Sequence, residues 1–329
     1  MSPSFASTWT QIHPPKPDFT EKDLLNLKGK VYIVTGANTG VGKELARMLY
    51  SKNAKVYIFA RSEDKATKAI AEIKQAAPTS TGDLVFLPVD LGDLTTIKVS
   101  AERFLAVEEK LHVLFNNAGV MKSDKGLTKT AQGYETHLGV NAIGTFLFTK
   151  FLTPILVATA KSEPPNTVRV VWVSSSGTEL FGHKGVGISL DNLDYHIEKP
   201  ASERYAISKT ANWAYGAEFA KRYKADGVIS IPLNPGNLTS DLARDQGAMF
   251  KLMVKVVAYP PINGAYTELF AGLSSQVTIE KSGDWVIPFG RFYPIRKDLV
   301  GATKTKAEGG TGGTHNFWEW TEDQVRPYL

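Results

Sequence analysis

Short continuous apolar runs alternate with stretches of helical spacing along most of the chain. The runs are Val31–Val34, Val56–Ala60, Leu84–Val89, Val113–Phe115, Val168–Val173 and Val228–Leu233. None alternates apolar with polar, so each reads as a strand buried on both faces. Between them the spacing predicts helices over about Lys43–Lys52, Glu63–Gln75, Asp93–Lys110, Gln132–Ala160 and Ser202–Tyr223. In the first of these Leu45, Met48 and Leu49 share one face. Strands alternating with helices imply βαβ units and a parallel sheet with helices on both sides.

The ends depart from this rhythm. Residues 1–28 form an extension carrying Pro14, Pro15 and Pro17, with Trp9 and Phe19. Near the other end, Gly309–Gly313 reads as a mobile loop leading to a docking tail with Phe317, Trp318 and Trp320. A length of 329 residues leaves one or two domains open, but no linker divides the chain. The division expected is 1–28 as extension, 29–290 as a single domain, and 291–329 as a tail packing on it.

Composition then removes whole classes. With no cysteine there is no disulfide framework, thiolate metal site or cysteine nucleophile. The net charge of +5 is scattered, which argues against a nucleic-acid partner. Thr145–Ala160 is apolar but carries Lys150 and Pro154, so a buried core helix is expected there and no transmembrane segment. The opening residues lack the pattern of a signal peptide, and a cytoplasmic location is the expectation.

Thr35-Gly-Ala-Asn-Thr-Gly-Val-Gly42 lies between the first strand and the first helix. Gly36 permits a tight turn, Gly40 permits close approach to a pyrophosphate, and Gly42 permits close helix–strand packing. Asn38, Thr39 and Val41 complete this loop at a helix N-terminus suited to phosphate. The residue that grips an adenosine ribose is expected at the end of the second strand. There the sequence reads Ala60-Arg61-Ser62, with Lys65 one turn on and no carboxylate at the strand end. A cation there suits a 2′-phosphate, so NADP(H) is expected over NAD(H). The alternative is a surface arginine, with Glu63 and Asp64 close by.

Tyr205-Ala-Ile-Ser-Lys209 places a phenol and an ammonium on one helix face. The same spacing recurs at Tyr195–Lys199, but Pro200 follows at once and disfavours a helix there. Ser174–Ser176 ends the fifth strand and Asn116–Gly119 the fourth, both at the carboxyl edge where open α/β sheets hold ligands. Asn141 sits among apolar residues of a helix. Buried there, it must find partners, as a structural residue or as part of the site.

Taken in order, the turn Thr35–Gly42, Asp90-Leu91, Asn116-Asn117-Ala118-Gly119, Asn141, the fifth-strand serine, Tyr205–Lys209 and Pro235-Gly236 resemble the short-chain dehydrogenase/reductase superfamily, in wording closest to its retinol-dehydrogenase-like and fungal reductase branch. The resemblance spans about residues 29–290. It implies a single doubly wound Rossmann-type domain with a sheet of about seven parallel strands. It also implies hydride transfer between a nicotinamide and a carbonyl or alcohol. Tyr205 would be the acid or base, Lys209 its charge partner, Ser175 the hydrogen-bond donor to substrate oxygen, and Asn141 the holder of a relay water. Asn117, Ala118, Gly119, Pro235, Gly236, Leu238 and Ser240 would line the cofactor beside the phosphate loop. No metal is required, and a homodimer through the Tyr205 helix is the association the family suggests.

The sequence departs from the family in a long segment between Ser175 and Tyr205, in Leu238 and Ser240 within the Pro235-Gly236 motif, and in the N-terminal extension. Residues 176–200 and about 241–266 are the expected walls of the substrate pocket. Leu242, Met249, Phe250, Leu252, Met253, Val256 and Val257 make an apolar stripe, read either as a lid over a lipophilic substrate or as ordinary packing. Two other functions on this fold remain at this point: non-redox chemistry with a structural NADP, or redox-silent NADP-binding regulation.

Overall fold

The computed structural model describes residues 5–123, 126–239 and 258–329. Seven parallel strands form its sheet: β1 (Val31–Thr35), β2 (Lys55–Ala60), β3 (Asp83–Pro88), β4 (Val113–Asn116), β5 (Arg169–Val173), β6 (Ile229–Leu233) and β7 (Val286–Ile287). Their order is 3-2-1-4-5-6-7, and an eighth strand, β8 (Arg291–Phe292), closes the edge antiparallel to β7. The sheet is therefore one strand larger than expected and not wholly parallel. β7 and β8 have two residues each, and β8 is only half-buried, so neither leaves a run to read.

Apolar residues on successive positions serve opposite faces, as a period of two requires. Val31 and Ile33 join one core, Tyr32 and Val34 the other. The same division holds in β5, where Val170 and Trp172 face one way and Val171 and Val173 the other. On one face lie α2 (Gly40–Ser51), α3 (Glu63–Ala76) and α8 (Pro261–Leu273). On the other lie α4 (Leu94–Leu105), α5 (Thr145–Ser162), α7 (Ala201–Tyr223) and α10 (Gly313–Val325). The outer layers also include the short helices α1 (Phe5–Ile12), α6 (Gly177–Phe181) and α9 (Lys297–Thr303).

The helix expected over Gln132–Ala160 begins later and is not uniform. Leu138–Gly144 winds as a π-helix before α5 continues it. Gly144 lets this segment press on the third crossover, since a Cβ there would lie 2.1 Å from the Leu91 carbonyl oxygen. Leu138–Ser162 is long and apolar enough to cross a membrane, but 72% of its most apolar window is buried inside the fold. It is a core helix, as the interrupting Lys150 and Pro154 suggest.

α7 runs the length of the sheet, and nearly every residue from Ala206 to Ala220 is buried. Gly216 allows that approach, because a Cβ would meet Pro232 at 2.8 Å. The final helix then packs on α7. The Phe317 and Tyr215 rings stack at 5.2 Å, and Trp318 meets Phe146 edge-on at 4.7 Å. Lys150 and Glu322 pair at 2.6 Å beside them. The glycine-rich stretch before α10 is bonded at several points: Gly310 N donates to Thr305 O, Thr311 N to Gly301 O and Gly312 N to Lys304 O. Phe317 is fully buried. Phe317→Ala is expected to cost about 3–5 kcal/mol, read as a lower urea midpoint at unchanged slope.

Candidate active site

The carboxyl ends of β1, β4, β5 and β6 open on one crevice of about 320 Å³. Its floor is tied by a knot of hydrogen bonds between the ends of β1 and β4. The Thr35 hydroxyl donates to Phe115 O and accepts from Ala118 N at 2.9 Å. The Asn117 amide donates to Thr35 O at 2.7 Å. Gly36, at φ +71°, turns the chain away beneath it. Gly42 does not line the crevice. A Cβ on it would stand 2.5 Å from Asn117 Nδ2, so its place is to leave room for that amide. Asn38, Thr39, Gly40 and Val41 line the crevice where α2 begins, presenting backbone N–H groups at a helix N-terminus.

Further along, Ala60 ends β2 and Arg61, Ser62 and Lys65 line the same crevice. Arg61 is exposed. The Ser62 hydroxyl caps α3 by accepting from Lys65 N. Asp90 and Leu91 form the lip after β3, where Asp90 Oδ1 accepts from Gly92 N at 2.9 Å. Asn117, Ala118 and Gly119 form the middle, and Pro235, Gly236 and Leu238 the far side. Ser240 and the apolar stripe of 241–257 lie outside the described residues.

Tyr205 and Lys209 stand one turn apart on α7 and both line the crevice, as does Ser175. Ser175 Oγ accepts from Gly177 N at 3.1 Å at the start of α6. Ser174 points elsewhere, donating to the Lys209 carbonyl at 2.6 Å and so fixing α7 against β5. Lys209 Nζ donates to Val173 O at 2.9 Å. The Cβ position of Gly119 lies 3.1 Å from that Nζ and 3.4 Å from Asn141 Oδ1, so a side chain there would crowd both groups. Asn141 is fully buried on the π-helix and does not line the crevice. Its Oδ1 accepts from Val120 N at 2.7 Å, and its amide donates to Val120 O and Ser208 Oγ. In this arrangement its side chain braces the segment that follows Gly119. Tyr195 lies in the loop before α7, with φ +56° and outside any helix.

Electrostatics sharpen the picture. Burial pushes the Tyr205 phenol above its usual range, so it holds its proton. Burial pushes the Lys209 ammonium down to about 8, with Glu268 opposing the fall. Glu268, on α8, is the residue sequence reading missed most completely. It lines the crevice, is fully buried, and is pushed up to about 8 by burial, against the opposing charge of Lys209.

Two other groups support the site without a signal in the sequence. His137 Nε2 accepts from Lys122 N at 2.8 Å, so Nδ1 carries the proton shared with Glu135 at 2.7 Å. Arg204 approaches the same carboxylate at 3.3 Å, and the His137 ring meets Tyr205 edge-on at 6.0 Å. This cluster fixes Val120, Met121 and Lys122 as a crevice wall, whereas none of 176–200 lines it. On the other side, Gln11 of α1 bridges α6 and the segment after β6. Its amide donates to Glu179 of α6 and its carbonyl oxygen accepts from Asn234 Nδ2 at 2.8 Å.

A doubly wound sheet with a glycine turn and a tyrosine–lysine pair on one crevice is the arrangement of an oxidoreductase of the short-chain type. The short chain dehydrogenase family model matches residues 30–186. The chain is 53% identical to the short-chain dehydrogenase/reductase bet4 of Neocamarosporium betae, over 100% of this chain and 95% of the relative. It is also 53% identical to a short-chain dehydrogenase/reductase of Phomopsis amygdali, over 99% and 98%. Among solved structures, an uncharacterised Mycobacterium paratuberculosis protein superposes with a TM-score of 0.65 at 25% identity, over 94% of this chain and 97% of that one. The protein belongs to the short-chain dehydrogenase/reductase family, among its fungal members.

The stability of the site depends on pH through Glu268. Its folded value of about 8 lies above the ordinary 4.5, so its contribution is intact below about pH 4.5 and is lost as pH rises through about 8. Lys209 is shifted the other way, and its contribution changes only above about pH 8. Glu268→Gln is therefore expected to lose less stability than wild type between about pH 5 and about pH 8 in urea unfolding. Parallel curves would remove the titration from this carboxyl.

Proposed function

We propose that the protein is an NADP(H)-dependent oxidoreductase that interconverts a carbonyl and an alcohol on a lipophilic small molecule. The observation that carries this reading is one crevice running from the exposed Arg61 guanidinium, past the start of α2, to Tyr205, Lys209 and Ser175. The donor set suits such a cofactor: helix-terminal amides for the diphosphate, a cation with no strand-end carboxylate for a 2′-phosphate, and a buried ammonium for the nicotinamide ribose. Bound there, the cofactor supplies or accepts the hydride.

The chain's own residues do the rest. Tyr205, protonated in the crevice, gives its proton to the carbonyl oxygen in reduction. Ser175 donates a hydrogen bond to the same oxygen and stabilises the charge that develops on it. Lys209 brings a positive charge one turn away, which favours the phenolate left behind. Gly119 and Asn141 hold the segment against which the reacting groups lie. Val120, Met121 and Val140 give that end of the crevice an apolar wall, which supports a lipophilic substrate.

Tyr205→Phe is expected to lower kcat by about 10²–10⁴-fold on any accepted ketone while NADPH binding, followed by fluorescence, stays intact. Unchanged turnover would remove the phenol from the proton step. Arg61→Ala is expected to weaken NADPH by about 10–100-fold, the scale of one charged hydrogen bond, and NADH hardly at all. Equal losses with both cofactors would separate Arg61 from the 2′-phosphate.

A further inference from the structure

Glu268 is fully buried, and neither carboxyl oxygen has a hydrogen-bond partner among the described residues. Most buried carboxyls satisfy their oxygens, because an unpaired one forfeits the hydrogen bonds water would have given it. This one instead faces the crevice. α8 begins at the crevice, where a Cβ on Gly264 would lie 2.3 Å from Leu238 Cδ1 and 3.2 Å from Val41. Helical side chains lean toward the N-terminus of their helix, so Glu268, one turn on, is carried back toward the cavity it lines.

We propose that Glu268 is the proton store of the nicotinamide site, a carboxyl that keeps its proton when the bound nicotinamide is uncharged and gives it up when the nicotinamide carries its positive charge. The inference rests on the function proposed above.

The physical case is one of charge balance in a dry site. Among the described residues, a carboxylate formed there has Lys209 as its electrostatic partner, and an added cation in the same crevice favours ionisation further. The other charges on the elements packed against it are engaged elsewhere. On α2, Lys43 is paired with Glu72, and Arg47 with Glu44, at partly exposed positions. On β5, Arg169 is spent on the carbonyls of Ala271 and Ser274 at the far end of α8. The strands β4, β6 and β7 carry no titratable residue. In the resting protein burial holds the carboxyl protonated through neutral pH. Reduction of a carbonyl consumes one proton and leaves the nicotinamide cationic, so the proton Glu268 gives up matches the one the reaction takes.

The test compares the two cofactor forms, which differ in nicotinamide charge and share every other charged group. Calorimetric titration at about pH 7, in buffers of different ionisation enthalpy, counts protons exchanged on binding. Wild type is expected to release close to one more proton with NADP+ than with NADPH, and Glu268→Gln is expected to bind both with the difference gone. An undiminished difference in Glu268→Gln would assign the proton to Lys209 or Tyr205 and overturn the proposal. Infrared difference spectra of wild-type protein decide the same question without a variant. The carbonyl stretch of a protonated buried carboxyl should disappear with NADP+ and persist with NADPH, and an unchanged band with both would overturn it. Failure to bind either cofactor would sink the function itself. Binding of both with equal proton exchange would sink only this inference.

Discussion

An ammonium group held 2.9 Å from the last carbonyl of β5 sets the terms for this molecule. Lys209 is only 3% exposed, and a buried charge is costly unless its surroundings answer it. Here the answers come from several directions at once. Val173 gives a carbonyl, Ser174 locks the Lys209 backbone, Gly119 withholds a side chain, and Glu268 brings a carboxyl whose ionised form favours the ammonium. The answers come from the ends of β4 and β5 and from α8, so these elements and α7 must all be in register before the charge is tolerable. The alternation of apolar residues across the sheet provides that register, because it commits both faces of every central strand to a core.

Much of this is legible in the chain. Continuous runs at Val31, Val56, Val113, Val168 and Val228 locate the buried strands, because a strand covered on both faces has no polar side to disguise it. The glycine turn and the pair Tyr205 and Lys209 are legible for a related reason. Each is a local device whose residues sit within a few positions of one another. Pro200 even separates the helical pair from its neighbour at Tyr195, since it decides which stretch can be helical.

What escapes sequence reading has long-range causes. β8 is two residues that become a strand only because β7 is beside them. The π-turn at Leu138–Gly144 answers the close approach to Leu91, a contact between segments about 50 residues apart. His137, Glu135 and Arg204 look like scattered polar residues until the fold brings them behind Tyr205. Glu268 sits in an apolar helix, where an isolated acid gives no sign that its face is turned to a crevice. Conversely, the enlarged segment 176–200 suggests a roof, but the crevice wall is built from Val120–Lys122 instead.

Gln11 carries a consequence for how the molecule assembles. Its bond to Asn234 joins positions 223 residues apart, and its bond to Glu179 spans 168. Closing so large a loop costs little more than closing a moderate one, since the entropy grows only with the logarithm of length. The cost falls on timing. α1 cannot make these two contacts until α6 and β6 exist, so a segment made before both settles only after them. α6 and the segment after β6 therefore gain their shared anchor only when nearly the whole sheet is in place.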